Sequence, residues 1–404
     1  MFLLTEIKWQ MIRNKGRSIL LCLIAALLTG TMAFYMGNIQ SNEIALSTLG
    51  DNLPVKAQIV NLAGIDSSGI LIPAARFDTF TEGGIREVYC TATGSGAFSP
   101  EIRAMPDFPE GDTTVLGANC LEGTPLTESL FTFEEGVDSS FLAGDAPLCA
   151  LDSDYARNNQ ISIGDEISMP INLYQAGAGY EKLAEDASFR VVATYVPPGK
   201  QNNTFSMLIP IQWMRNQAES TGAVTFCYDS CTVILDDPLH GLNAFKEGLA
   251  EKGFSKVDPN APIGSYFGEA VVMQDETFIK TVGELEQNLM VYRRFLIPFF
   301  GVIVLLVTLS VFLVLRSNQH NLAIAVSLGR SKVQSGVVSF VSVLLLSIIG
   351  CLIAFLVMIA GLGLALMEGL LICGIFLACS CIGSIIALFF LLRFDPMELL
   401  TKTE

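Results

Sequence analysis

Four runs of this 404-residue chain carry no Asp, Glu, Lys, Arg or His: Ser18–Met36, Phe295–Leu315, Gly336–Gly363 and Leu370–Leu392. About 20 apolar residues in a helix span the hydrocarbon of a bilayer. A soluble core spreads its hydrophobic residues along the chain, whereas here they are concentrated at the two ends. The pattern predicts a multi-pass membrane protein with four transmembrane helices and one large water-exposed domain between the first and the second. A composition of 51% hydrophobic and 16% charged residues agrees.

The net charge of −16 is unevenly divided. Ser41 to Arg294 holds 35 acidic and 15 basic residues, while the remainder holds 5 acidic and 9 basic. Those nine are Lys8, Arg13, Lys15, Arg17, Arg316, Arg330, Lys332, Arg393 and Lys402, all in short segments beside spans. Basic residues in short flanks stay on the cytoplasmic side. Both termini and the Arg316–Ser335 loop are therefore expected inside the cell membrane, with residues 41–292 and the Leu364–Gly369 turn outside. Arg293 and Arg294 are exceptions beside a long translocated domain. Thr31-Met32-Ala33 also resembles a signal-peptidase site, but the first apolar run exceeds the 7–15 residues of a signal core, so an uncleaved anchor is expected.

Of ten cysteines, Cys22, Cys351, Cys373, Cys379 and Cys381 fall in the spans and read as small apolar packing residues. Cys90, Cys120, Cys149, Cys227 and Cys231 fall outside. Five is odd, so a complete internal disulfide framework is impossible. Cys227 and Cys231 are too far apart along an extended chain to bridge. Mostly reduced, buried thiols are expected, with no metal site.

Residues 1–17 place Leu3, Ile7, Met11 and Ile12 among Lys8, Arg13, Lys15 and Arg17, the pattern of an amphipathic helix on the inner membrane surface. The first helix continues outward through Met36, Ile39, Leu46 and Leu49. Before the second span, Phe278, Val282, Leu285, Leu289 and Tyr292 step by four, three, four and three, a seam that asks for a partner helix. The two prolonged helices are expected to pair as a stalk; the alternative is that each packs on its own domain.

Within residues 41–292, both ends read as βαβ-like. Val55–Leu62 and Arg86–Thr93 are predicted strands flanking a helix at Pro73–Glu82, and Cys231–Leu235 is a predicted strand before a helix at Pro238–Gly253. Between them run short alternating strands at Val115–Ala118, Leu148–Asp152, Glu166–Met169, Phe189–Tyr195 and Ser206–Ile211. This predicts an α/β lobe from about residues 50–99 plus 224–275, with a β-rich lobe inserted at about 100–223.

Catalytic signals are sparse. His240 and His320 are the only histidines and read as loop residues. No HExxH, GxSxG or GxxxxGK[ST] pattern occurs. The spans hold no ionisable residue of the sort that ion-coupled transport requires, and Glu368 reads as a solvated carboxylate in the outer turn. No enzyme activity and no cofactor are expected in this chain, and no nucleic acid as partner.

Three local patterns carry a resemblance. Arg13-Asn14-Lys15-Gly16-Arg17-Ser18 precedes the first span; Leu322-Ala323-Ile324-Ala325-Val326-Ser327-Leu328-Gly329-Arg330-Ser331-Lys332 lies in the inner loop; Phe394-Asp395-Pro396-Met397-Glu398-Leu399-Leu400 follows the last span. With Leu116-Gly117-Ala118-Asn119, Glu135-Gly136, Leu151–Ala156 and Ile163-Gly164-Asp165 in the outer domain, the chain resembles the FtsX-like/MacB-type permeases of ABC transporters over nearly its whole length. The resemblance implies a MacB-like periplasmic core domain of α+β architecture on a membrane domain of four helices, the last three forming an FtsX-like domain over residues 293–404. It implies two permease subunits, identical or different, on a cytoplasmic ABC ATPase that binds the ATP. It also implies mechanotransmission from a coupling helix, Leu322–Gly329 with Arg330 and Lys332 beside it, to the outer domain. Leu322, Ala323, Ile324, Val326, Leu328, Gly329 and Arg330 are its expected docking residues.

Two positions depart from the family pattern: Asn321 replaces an acidic residue and Val326 a basic one. Both remove charge from the expected docking surface, which implies a more apolar contact or a heterodimer with a second permease. Three functions compete. The first is an exporter or extractor of a peptide, lipid or antimicrobial compound. The second is a regulatory permease of the FtsX kind, controlling a cell-wall hydrolase or another extracytoplasmic adaptor. The third is a membrane sensor or adhesin without an ATPase. A domain of some 250 residues favours the first over the second, and the inner-loop match argues against the third. The acidic outer domain could attract cationic peptides, although such a surface often serves only solvation.

Overall fold

The structure, a computed structural model, describes residues 15–105, 111–175, 179–197, 205–222, 224–262, 264–317, 331–362 and 366–392. It divides into two units, one of Met1–Ser47 with Gly283–Glu404 and one of Thr48–Val282. In chain order there is one long helix, then the sheet domain, then three long helices.

The helical unit holds α1 (Lys15–Ser47) and most of α5 (Glu276–Ser317), with α6 (Lys332–Leu362) and α7 (Leu366–Leu392); the shorter α2 (Ala74–Thr81), α3 (Ile211–Thr221) and α4 (Pro238–Glu251) belong to the sheet unit. All four are long and apolar enough to cross a membrane. Each buries one stripe and exposes apolar residues elsewhere, as a helix bathed in lipid does. On α1 the buried stripe is Leu21, Ala25, Leu28 and Met32, while Ile19, Leu23, Leu27 and Phe34 face outward. On α5 it is Ile303, Val307, Val311 and Leu315, one residue every four.

Lipid tails are as apolar as Leu, so close packing and polar contacts hold such helices together. Gly350 of α6 faces α1, and a Cβ there would lie 2.5 Å from the Cys22 carbonyl oxygen and 2.7 Å from the Ala25 Cβ. Gly383 of α7 similarly admits Thr308 of α5, whose backbone nitrogen would stand 3.2 Å from a Cβ. The buried Ser380 hydroxyl donates to Ser347 at 3.0 Å, joining α7 to α6. The Cys22 thiol donates to the Leu346 carbonyl at 3.4 Å, joining α1 to α6.

The other unit is built on a ten-stranded mixed sheet. Its strands are β1 (Lys56–Val60), β3 (Ile85–Gly96), β4 (Thr113–Ala118), β5 (Phe131–Phe133), β6 (Leu148–Asp152), β7 (Glu166–Gln175), β8 (Gly179–Tyr195), β9 (Met207–Pro210), β11 (Ser230–Leu235) and β12 (Ala270–Gln274); β2 (Ile72–Pro73) and β10 (Cys227–Tyr228) pair separately. The order is β12-β1-β11-β3-β4-β9-β6-β8-β5, and β7 pairs with both β3 and β8. The pairings β3–β4–β9–β6–β8–β7–β3 thus close a ring, which leaves those strands no free edge.

β3 explains how this is possible. Its first half pairs with β11, its Thr-Ala-Thr-Gly-Ser-Gly end pairs with β4 on one side, and the last three of these, Gly94 to Gly96, pair with β7 on the other. At Gly94 a Cβ would meet the Asn172 carbonyl oxygen at 2.8 Å, and at Gly96 the Met169 sulfur at 2.8 Å. Small residues let β7 approach closely.

The two expected lobes therefore share a strand. β3, which falls wholly within the expected α/β lobe, also pairs with β4 and β7 of the expected inserted lobe, and one apolar core joins Ala57, Ile59 and Val233 with Val115, Met169 and Phe189. A second core around Leu126, Leu142, Ala193 and Tyr195 lies under β5 and β6.

Among the described residues the longer helices on this sheet are α2 (Ala74–Thr81), α3 (Ile211–Thr221) and α4 (Pro238–Glu251), with a short one at Ser153–Asn158. Phe80 of α2 is fully buried with its ring edge-on to Phe245 of α4 and to Phe254. The α4 helix begins with Pro238 after Asp237, whose carboxylate accepts from the His240 amide, a strong start signal. His240 thus lies in a helical first turn, exposed, its ring 2.9 Å from Asp237, and is not the loop residue expected. α3 ends at Gly222 in the left-handed region, φ 60°.

Candidate functional site

Both α1 and α5 are too long for a bilayer. At 1.5 Å per residue, α1 with 33 residues and α5 with 42 residues extend roughly 50 and 63 Å, against about 30 Å of hydrocarbon. Uncharged residues run from Ser18 to Asn42 on α1 and from Phe295 to Leu315 on α5. The excess of α5 therefore lies at its Glu276 end.

The two helices meet where their apolar runs stop. The Tyr35 hydroxyl donates to the Tyr292 carbonyl at 2.6 Å, the two rings meet edge-on at 5.6 Å, and Tyr35 stacks on Phe299 at 4.2 Å. At the next residue of α5, the Arg293 guanidinium is 2.7 Å from Glu43, which lies about two turns beyond Tyr35 on α1. Arg293, an exception to the charge pattern, thereby has a partner. Such exposed pairs are worth about 0–1 kcal/mol, so the aromatic cluster carries more of the contact. Gln40 of α1 donates to Glu368 in the first turn of α7. Glu368 is half-buried and bonded, rather than the free carboxylate of a turn.

The five residues of the expected stalk seam lie along one face of α5. Phe278 and Leu289 are buried, and Val282, Leu285 and Tyr292 are half-buried. Their neighbours Ile279, Met290 and Val291 are exposed. Tyr292 touches α1 through Tyr35. Pro298 lies within α5; lacking an N–H, it leaves the Arg294 carbonyl without its helical rung, directly below the Tyr35–Tyr292 contact.

The expected coupling residues Leu322, Ala323, Ile324, Val326, Leu328, Gly329 and Arg330 lie outside the described residues, as do residues 1–14 and His320.

Among the described residues no group of three or more His, Cys, Asp or Glu is placed to hold a metal ion. Burial pushes the Cys90 thiol up to about 12 and raises Cys149 and Cys231 further, the opposite of an activated nucleophile. Burial also raises the Asp229 carboxyl to about 7, against hydrogen bonds from Thr93 that lower it. On the sheet surface Arg215 of α3 makes a two-pronged contact with Asp78 of α2, at 2.7 and 2.8 Å, and reaches Glu219 at 2.8 Å and the Tyr228 hydroxyl at 3.1 Å. The hydrogen bond from Arg215 holds the Asp78 carboxyl below its ordinary value. This network fastens α3 to α2. Sequence reasoning did not single out Tyr35, whose ring lies inside an apolar run; its place beside the seam was the available signal.

No family model matches the sequence, and no curated protein matches it. Among solved structures, a crystallised domain of a protein from Porphyromonas gingivalis that carries the provisional name of a permease aligns with 55% of this chain and 85% of its own, at 16% identity and a TM-score of 0.27. A likeness that low fixes neither fold nor activity.

Proposed function

We propose that this chain is the permease subunit of an ABC transporter that works by mechanotransmission at the cell membrane. ATP is hydrolysed by a separate cytoplasmic ATPase, and motion of α1 and α5 is delivered to the extracytoplasmic sheet domain. The observation that supports this most directly is the joining of two over-long helices by Tyr35, Tyr292, Phe299 and the Glu43–Arg293 pair. Helices that only anchor a domain need no such prolongation. The spans also lack any charged residue, which suits a machine that moves its cargo at the outer face and needs no polar path between helices. A peptide, lipid or antimicrobial compound is the cargo this reading favours, with a second permease subunit completing the membrane part.

Copurification tests it. An ATPase encoded beside this chain should be retained by the full-length protein in detergent, and Leu328→Asp should abolish that retention by placing a charge in the apolar docking segment. Retention unchanged by Leu328→Asp removes the contact, and no ATPase retained by either form removes the reading. Orientation is tested by labelling intact cells: Asp165→Cys should react with an impermeant maleimide and Lys332→Cys should not. If a cell-wall hydrolase binds the sheet domain and transport is absent, the protein is a regulatory permease of the FtsX kind.

A further inference from the structure

Cys90 of β3 and Cys231 of β11 stand directly opposite each other in the antiparallel ladder. Which kind of opposite pair they form follows from the hydrogen bonds of Cys90. Its N–H donates to the Asn119 side chain at 2.9 Å, and its carbonyl accepts from the Asn119 amide at 3.4 Å. Both main-chain groups thus point away from β11, towards β4. The pair is therefore a non-hydrogen-bonded one, in which Cα atoms approach to about 4.5 Å and side chains are closest. A disulfide accepts Cα separations of about 4.4–6.8 Å. Both side chains are buried on the same face of the sheet, in the same apolar core. Their neighbours Thr91 and Ser230, one residue along, join hydroxyls at 2.6 Å, so the strands are held in this register on both faces.

We infer that Cys90 and Cys231 are a dithiol that closes to a disulfide between β3 and β11 when the protein meets a small-molecule disulfide as oxidant. One protein thiolate attacks a sulfur of the oxidant and expels a thiolate. The second protein thiolate then attacks the mixed disulfide and expels the other. Two S–H protons are lost, the protein is oxidised by two electrons, and the reagent is reduced to two thiols. The third extracytoplasmic cysteine nearby, Cys120, is half-buried beside Asn119 and is the competing partner. The bond would tie β3, the strand shared by the ring and the outer strands, to the strand that leads into α4. Nothing in this inference depends on the transport reading.

The test uses full-length protein in detergent with dithiodipyridine, a small apolar disulfide. After denaturing alkylation, unreduced peptide mapping should find Cys90 linked to Cys231, and reductant should release it. Oxidised protein should melt roughly 5 °C or more above the reduced form, as expected for a bond closing so long a loop, and Cys231→Ala should lose that difference. Separate modification of both thiols, or a Cys90–Cys120 link in the wild type, overturns the assignment.

Discussion

The Tyr35 hydroxyl donates to the Tyr292 carbonyl at 2.6 Å across 257 residues of sequence. That carbonyl already belongs to the α5 ladder, so the tyrosine adds a second donor to an engaged acceptor. Its ring is held independently, edge-on to Tyr292 and stacked on Phe299. The link therefore has a polar part and an aromatic part that can be removed one at a time. Tyr35→Phe should cost about 1 kcal/mol, and Tyr35→Ala should cost about 2–4 kcal/mol in all by also deleting the ring. Thermal unfolding in detergent reads both, and equal effects would place the whole contact in the hydroxyl.

Gly350 and Gly30 make a matched pair for testing helix contact. A Cβ at Gly350 would collide with the Cys22 carbonyl and Ala25, whereas one at Gly30 meets nothing within 4 Å. Gly350→Ala should destabilise the helical unit by about 1–3 kcal/mol through forced separation of α1 and α6. Gly30→Ala should be neutral or slightly stabilising, because Ala favours helix. Melting curves of the two variants should shift in different directions or by clearly different amounts.

Asp229 sets a pH dependence. Its carboxyl is raised in the folded protein to about 7, above the unfolded value near 4. Between those values the folded chain holds a proton that the unfolded chain has lost, so stability should fall as pH rises from about 4 to about 7. The full displacement corresponds to about 4 kcal/mol at most, reduced by the partial exposure of the residue. Asp229→Asn should flatten the melting temperature across that window, and a slope left unchanged would exclude Asp229 as its source.

Arg215 fastens α3 to α2 through Asp78, and to Tyr228 behind it. Arg215→Ala should destabilise the sheet unit by about 1–3 kcal/mol. Arg215→Lys should recover only part, since an ammonium cannot make the two-pronged contact. The Asp78 carboxyl is held below its ordinary value. The stability it lends is present above about pH 4 and is lost as pH falls through its lower folded value, so the wild type should lose its advantage over Arg215→Ala in acid. Melting temperatures at neutral and strongly acidic pH decide this.

Much of the layout was legible because hydrophobic length and period are strong signals. The four runs correspond to four helices, although α1 and α5 extend well past the apolar limits, since charged residues such as Glu43 and Glu284 tolerate helix outside lipid. Strands such as Leu148–Asp152 were legible from alternation and turn residues. α3 was not, because Ile211–Thr221 is a polar helix whose buried face is only Ile211, Trp213, Met214 and Ala218. The sharing of β3 was hidden because Gly94 and Gly96 look like a turn and instead admit β7. The Tyr35 contact depends on tertiary placement, which no local period encodes.

The strand order bears on how the chain is made. Among the described residues β1 pairs with β11 and β12 alone, so when it emerges during synthesis neither partner yet exists, and most of the domain must be translated before its backbone can be satisfied. The outer strands therefore assemble last, just as α5 follows β12 and approaches the membrane. Such distant pairing is slow and leaves apolar strands uncovered for longer. A nascent chain of this kind would benefit from a holding chaperone until β12, which ends at Gln274, has reached the compartment where the domain folds.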